Sequence, residues 1–210
     1  EYGIIIEHDG PVSLLHNNVT TFKTTTHGAK VTAGEGNNTE LFFDADEGDD
    51  NADKWKFVAF NNPASTFDLY NYTSGSWEKN ISCIGNGAVE LYHDNVKVLE
   101  THANGFYIKG PEGGDASAYL YADEGDDNAD KWRIVATTGG ELHFENKASG
   151  SWEDSIHLTG NGNVELFHDN AKRLETTSVG VTVTGGGDRA FQTLSTHSSG
   201  GEIAMFDNGV

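Results

Sequence analysis

The stretch VELYHDNVKVLET at residues 89–101 decides how this chain folds, because it returns further along almost unchanged. It comes back as VELFHDNAKRLET at residues 164–176, and a looser copy, VSLLHNNVTTFKT, stands at residues 12–24. Copies that recur at such a regular distance, here 75 to 77 residues, are the sign of a repeat architecture. We therefore expect each period to adopt the same local fold.

Two further landmarks recur with the same period. The acidic phrase ADEGDDNADKW stands at residues 45–55 and again at 122–132, and SGSWE stands at 74–78 and 149–153. From these landmarks we expect a chain that begins and ends within a longer protein. The predicted divisions are the end of a preceding repeat (1–11), a first repeat (12–88), a second repeat (89–163), a partial third repeat (164–187) and the start of a different β module (188–210).

The local signals inside each period are those of short β-strands. Runs of β-branched and aromatic residues alternate with polar ones, and Gly, Asn, Asp and Ser separate the runs. No window has the 3.6-residue apolar period of a helix, so we expect almost no helix. The sequence predicts an all-β protein with about seven short strands per repeat.

Two dipeptides, Asp94-Asn95 and Asp169-Asn170, stand between strand-like runs. Asp and Asn tolerate the positive φ of a tight hairpin turn, so we expect a hairpin at each place. A two-residue and a three-residue loop are both compatible with the sequence. The choice between them sets which side chains face each other.

Composition excludes several classes of function. The net charge is −20, with 33 acidic and 13 basic residues, and this balance disfavours binding to nucleic acid or to anionic membranes. No apolar run is long enough for a transmembrane helix. The single cysteine cannot form an intrachain disulfide, so stability has to come from packing and from other chains.

One repeat of about 75 residues has too little contiguous apolar surface for a robust isolated domain. Open strand edges also invite pairing with other chains, and a closed homotrimer removes them by symmetry. We therefore expect an elongated fibrous array of β repeats, built as an intertwined homotrimer of the β-prism or triple-stranded β-helix type.

The acidic phrase is the main candidate for a ligand site. Several carboxylates around a glycine can supply the oxygen shell that Ca²⁺ prefers, although the spacing does not fit an EF-hand, and a solvated acidic turn is the alternative. The candidate Ca²⁺ ligands are Asp46, Glu47, Asp49, Asp50 and Asp53 in the first copy and Asp123, Glu124, Asp126, Asp127 and Asp130 in the second.

Two other sets of residues recur at fixed repeat positions. His16, His93 and His168 are equivalent, so in a trimer three copies of each can approach one axis and bind a metal; ordinary hydrogen bonding is the alternative. The tryptophans and tyrosines can form platforms for sugar stacking, but their repetition favours packing within every unit. No nucleophile elbow, P-loop or His-Glu-x-x-His motif is present, and we expect no catalytic site.

Residues 160–185, with DEGDDNADKWR (123–133) and ASGSWE (148–153), resemble the recurring elements of tail-fibre and structural proteins of tailed bacteriophages, especially those of marine bacteria. The resemblance covers roughly residues 4–185. It implies a trimeric, β-rich tail fibre on the virion that contacts other tail proteins and supports attachment to a host glycan or receptor through a region outside this chain. Two alternatives remain: a polysaccharide-degrading tail spike, and a non-viral extracellular adhesin or filament.

Overall fold

A computed structural model describes residues 3–187. The protein is all-β, with 55% of residues in strands and 6% in helical turns, and the sequence prediction of fold class is confirmed at this level. The predicted β module at 188–210 lies outside the described residues. None of the described helical segments is long and apolar enough to cross a membrane.

The strands form three open antiparallel sheets, in which each strand pairs with its neighbours in sequence. The N-terminal sheet has four strands, and these are β1 (Ile4–Ile6), β2 (Val12–His16), β3 (Val19–Thr25) and β4 (Gly28–Val31).

The middle sheet and the C-terminal sheet have seven strands each, as the sequence predicted for one repeat. The middle sheet consists of β5 (Thr39–Asp44), β6 (Lys54–Ala59), β7 (Thr66–Asn71), β8 (Glu78–Ile84), β9 (Val89–His93), β10 (Val96–His102) and β11 (Gly105–Ile108). The C-terminal sheet consists of β12 (Ala116–Tyr121), β13 (Lys131–Ala136), β14 (Glu141–Asn146), β15 (Glu153–Thr159), β16 (Val164–His168), β17 (Ala171–Thr177) and β18 (Gly180–Val183).

The chain divides into two compact units, Glu1–Pro111 and Glu112–Val210. The first unit contains the N-terminal and middle sheets, and the second contains the C-terminal sheet. The predicted repeat boundaries at residues 12, 89 and 164 coincide with the first residues of β2, β9 and β16. These three strands hold equivalent places, so the sequence period marks one structural position in every sheet.

The hairpins at Asp94-Asn95 and Asp169-Asn170 have two-residue loops. His93 pairs directly with Val96, and both loop residues have positive φ, 54° and 62°, which is the pattern of a type I′ turn. The second hairpin repeats this geometry. The question that the sequence left open is thereby settled in favour of the shorter loop.

Each seven-stranded sheet has a β-bulge at the same place, between β7 and β8 in the middle sheet and between β14 and β15 in the C-terminal sheet. Asn71 Nδ2 donates to Asn80 Oδ1 over 2.8 Å in the middle sheet, and Asn146 Nδ2 donates to Ser155 Oγ over 3.1 Å in the C-terminal sheet. Each bulge carries one extra residue, which shifts the side-chain alternation of β8 and β15. Lys79 and Ile81, two residues apart on β8, pair with the adjacent residues Tyr70 and Leu69 and therefore lie on opposite faces.

Candidate assembly interface and ligand sites

One face of the middle sheet is mostly apolar. The strand register places one row of side chains across β5, β6 and β7, where Leu41 pairs with Phe57 and Phe57 with Leu69. The row continues through Ile81 and Leu91. Its neighbours on the same face include Phe43, Trp55, Phe67, Cys83, Val89, Leu99, Phe106 and Ile108. We call this surface the apolar face.

The other two sheets have an apolar face at the equivalent registers. In the C-terminal sheet the central row contains Phe144, Ile156, Leu166, Leu174 and Val183. In the N-terminal sheet the same face holds Ile4, Leu14, Phe22 and Val31. The sequence analysis missed this surface because it counted apolar runs along the chain, whereas strand pairing collects alternate residues from seven separate runs.

These apolar faces are exposed within the described part of the chain. Phe43 is 50% exposed, Phe67 47% and Phe106 64%. Among the described residues only Val58 and Val135 are buried hydrophobics, and both lie on the opposite face. A sheet with one bare apolar side has no second layer to form a core.

The size of each face makes its exposure informative. Six strand spacings of about 4.8 Å and strands of about 17–20 Å give a seven-stranded face a footprint of roughly 500–600 Å². The largest apolar patch on a soluble monomer covers roughly 300–600 Å² and is often functional, so each face is at the upper end of this range. Its size and its recurrence in every sheet make the apolar face the candidate interface.

The opposite face of the middle sheet carries a compact polar network around Asp68, and we call it the polar face. Asp68 is 1% exposed and accepts hydrogen bonds from Ser82 Oγ (2.6 Å) and Tyr70 OH (3.0 Å). Lys79 Nζ lies 2.7 Å from the same carboxylate. Every partner comes from β7 or β8, so the network ties these two strands together.

A second cluster on this face joins β9, β10 and the segment after β11. Lys97 forms ion pairs with Glu90 and Glu100, and Glu100 also pairs with Lys109. Desolvation of Glu90 is the largest effect on its acidity and favours the protonated acid. The hydrogen bonds from Lys97 and Tyr92 and the charge of Lys97 together exceed it, so the pKa of Glu90 lies below its ordinary value.

The polar face of the C-terminal sheet has a different centre. His143 and His157 replace Asp68 and Ser82 at the equivalent positions, and their rings stack with centroids 4.2 Å apart. Glu141, Asp154 and Glu165 surround the pair. The sequence analysis did not single out these histidines, although two histidines that replace an Asp and a Ser at fixed repeat positions were a usable signal.

The acidic phrases form loops between β5 and β6 and between β12 and β13. Each loop contains two short 3₁₀ turns with positive φ at the first Asp and the Glu, as at Asp46 (38°) and Glu47 (65°). These loops are largely exposed. Gly48 and Gly125 have a φ of 72° and lie so close to the preceding strand that a side chain there would clash with Asp44 or Tyr121.

The structure brings only some of the predicted calcium ligands together. Asp49, Asp50 and Asp53 have carboxylate oxygens within 4.8 Å of one another in the first loop, as do Asp123, Asp126 and Asp130 in the second. Asp46, Glu47, Glu124 and Asp127 are outside these groups. The calcium site stays a prediction, which melting temperatures measured with added Ca²⁺ and with EDTA can test.

The other predicted residues lie in three kinds of place. His16, His93 and His168 are exposed at strand ends next to the hairpin turns. Trp77 and Trp152 pack on the polar face, where Lys56 and Arg133 each lie 4.5 Å from an indole ring. Trp55 and Trp132 are on the apolar face and partly exposed. These contacts support packing roles for Trp77 and Trp152.

No protein-family model, curated protein or solved structure matches this chain.

Proposed function

We propose that this chain is a structural segment of a homotrimeric phage tail fibre, a shaft that supports host attachment and does not catalyse a reaction. The observation that carries the proposal is the apolar face, which repeats at the same register in all three sheets and has no partner within the described residues. Three copies of one sheet, each with its apolar face turned inward, would enclose a common core. That arrangement is a β-prism.

The polar face supports the same proposal. In the middle sheet the charged and polar side chains of this face pair with one another through ion pairs and hydrogen bonds. The buried polar groups of Asp68 and Ser82 are hydrogen-bonded to each other there. Such a face is suited to water. In the proposed trimer the apolar face is the inside of each sheet and the polar face is the outside.

Assignment to a phage virion rests on the sequence resemblance. The two seven-stranded sheets repeat the same strand order and the same acidic loops, and this repetition supports a shaft more than a polysaccharide-degrading spike.

The decisive experiment is a mass measurement of the purified chain in solution by light scattering and native mass spectrometry. We expect three times the chain mass of 22.6 kDa at micromolar concentration. A stable monomer would overturn the homotrimer. Immunogold labelling of phage particles tests the virion assignment separately, and release of reducing ends from host polysaccharide would favour the spike over the shaft.

A further inference from the structure

The stacked histidines of the C-terminal sheet form a cluster whose geometry is not explained by hydrogen bonding alone. His143 on β14 and His157 on β15 are direct cross-strand partners, and Glu141 lies two residues before His143 on the same face. The Nε2 atoms of both rings are buried and have no hydrogen-bond partner. Buried polar atoms are rarely left without a partner, so two neighbouring orphans require a reason.

We propose that Glu141, His143 and His157 bind one Zn²⁺ ion per chain on the polar face of the C-terminal sheet. Imidazole nitrogens and a carboxylate oxygen are ligands that zinc accepts. The proposal does not depend on the fibre assignment, because every ligand comes from a single sheet of a single chain.

Two of the three separations between the donor atoms fit an ion better than they fit direct hydrogen bonds, and all three are within 4.8 Å. His143 Nε2 lies 3.5 Å from Glu141 Oε2, and His157 Nε2 lies 3.6 Å from Glu141 Oε1. Both separations are too long for good hydrogen bonds. Two ligand atoms at about 2.0–2.1 Å from a tetrahedral zinc are separated by about 3.3–3.4 Å. The two carboxylate–imidazole separations are therefore close to those of a bound ion.

The other nitrogen of each ring faces a carboxylate. His143 Nδ1 is hydrogen-bonded to Asp154 Oδ1 over 2.8 Å, and His157 Nδ1 lies 3.4 Å from Glu165 Oε2, which is longer than a good hydrogen bond. A carboxylate bonded to Nδ1 fixes the proton there and leaves the lone pair of Nε2 free for a metal. The ring of His143 is thus oriented with Nε2 as the ligand atom, and the nearby carboxylate of Glu165 favours the same arrangement at His157.

The rings have to reorient when the ion binds. They are stacked and nearly parallel, with an angle of 16° between their planes, whereas an ion lies close to the plane of each ring that binds it, so both Nε2 lone pairs have to be turned toward a common point. Rotation about the Cβ–Cγ bond of histidine has a broad torsional profile, which permits this change, and ion binding has to offset the loss of the ring stacking. The side chain of Glu141 is 37% exposed, which leaves room for water as a fourth ligand.

The middle sheet lacks the site although it has the same backbone. Its equivalent residues are Thr66, Asp68 and Ser82, and the Asp68 oxygens are taken up by Ser82, Tyr70 and Lys79. The expected stoichiometry is therefore one ion per chain and not two.

Titration of the full chain with Zn²⁺ by calorimetry, and with Co²⁺ by visible absorption, tests the proposal. We expect one equivalent of each ion and a Co²⁺ spectrum typical of low coordination number with nitrogen ligands. His157→Ser, which introduces the residue found at this position in the middle sheet, should abolish binding. Asp154→Asn should weaken it by about 10–100-fold, the usual effect of losing such a carboxylate partner.

Matched variants separate this site from unspecific binding. His168→Ser removes an exposed histidine of the same sheet and should leave binding unchanged. Binding that survives in His157→Ser but disappears in Asp123→Asn/Asp126→Asn/Asp130→Asn would overturn the proposal in favour of the acidic loop. An absence of Zn²⁺ binding by the unmodified chain would overturn it as well.

Nuclear magnetic resonance of the unmodified protein gives a readout that does not depend on any variant folding. Zn²⁺ should shift the Nε2 resonances of His143 and His157 and leave that of His168 in place. Unchanged resonances of His143 and His157 at saturating Zn²⁺ would contradict the assignment.

Discussion

The carboxylate of Asp68 is almost completely removed from solvent. The folded protein tolerates this burial because both carboxylate oxygens have partners. Ser82, Tyr70 and Lys79 supply those pairs. Removal of the carboxylate leaves the buried hydroxyl of Ser82 without its acceptor, which destabilises a protein by about 1–3 kcal/mol. We expect Asp68→Ala to lower the free energy of unfolding by an amount in this range.

Urea unfolding at a fixed chain concentration measures this effect. Asp49→Ala, in the exposed acidic loop, is the control and should stay within about 0.5 kcal/mol of the unmodified protein. Equal effects of the two substitutions would contradict the structural role assigned to the Asp68 network.

Glu90 gives a pH dependence whose sign follows from its lowered pKa. A carboxyl group with a lower pKa in the folded protein stabilises the fold fully above its unfolded pKa of about 4.3, and this stabilisation disappears as the pH falls through the folded value. Between about pH 5 and pH 3 the melting temperature of the unmodified protein should therefore fall more than that of Glu90→Gln. If the melting temperatures of the two proteins fell by the same amount across this pH range, the prediction would be refuted.

At the scale of the element, the type I′ hairpins of the two seven-stranded sheets differ in one hydrogen bond. Asn95 Oδ1 accepts a bond from the backbone N–H of Lys79 over 2.8 Å, and Asn170 has no equivalent bond within the described residues. Glycine is favoured in a turn with positive φ. We expect Asn170→Gly to stabilise the protein by up to about 1 kcal/mol, because glycine adopts the positive φ of this position without the steric strain of a side chain.

Asn95→Gly is the matched substitution in the middle sheet. It relieves the same backbone conformation but loses the bond to Lys79, whose net contribution is about 0.5–1.5 kcal/mol. The result should be neutral or destabilising. Thermal melting of both variants tests the pair, and an equal stabilisation by both glycines would show that the bond contributes nothing.

The same elements show what the sequence could predict. Asp-Asn pairs and strand-like runs predicted the hairpins and the number of strands, because turn formation depends on residues that are adjacent along the chain. The partnership of His143 with His157 was not predicted, since it depends on a hairpin and on the bulge at Ser155. The grouping of three aspartates within the acidic loops likewise depends on backbone turns that the composition does not fix.

On the scale of the whole molecule, the sequence predicted that the chain needs partner chains, but the reason behind that prediction was incomplete. The argument was that each repeat has little contiguous apolar surface. In the structure the apolar residues are collected on one face, and that face is exposed. The consequence for assembly is the same, but the structure adds which side of each sheet a partner would cover.

Phe42 and Phe43 test this assignment of faces within a single strand. Both are 50% exposed, but adjacent residues of a strand point to opposite sides. Phe43 lies on the apolar face beside Phe57, and Phe42 lies on the polar face beside Trp77 and Lys56. A glutamate at position 43 would bury an unpaired charge in the proposed trimer core, whereas one at position 42 would stay in water.

We therefore expect Phe43→Glu to convert the assembly to monomers or to aggregates, and Phe42→Glu to leave the oligomeric mass unchanged. Light scattering at several chain concentrations measures both variants in the same way. The two positions share residue type, strand and exposure, so the face on which each lies, with its neighbours, is what distinguishes them. If Phe42→Glu alone disrupted the assembly, the polar face and not the apolar face would be the interface.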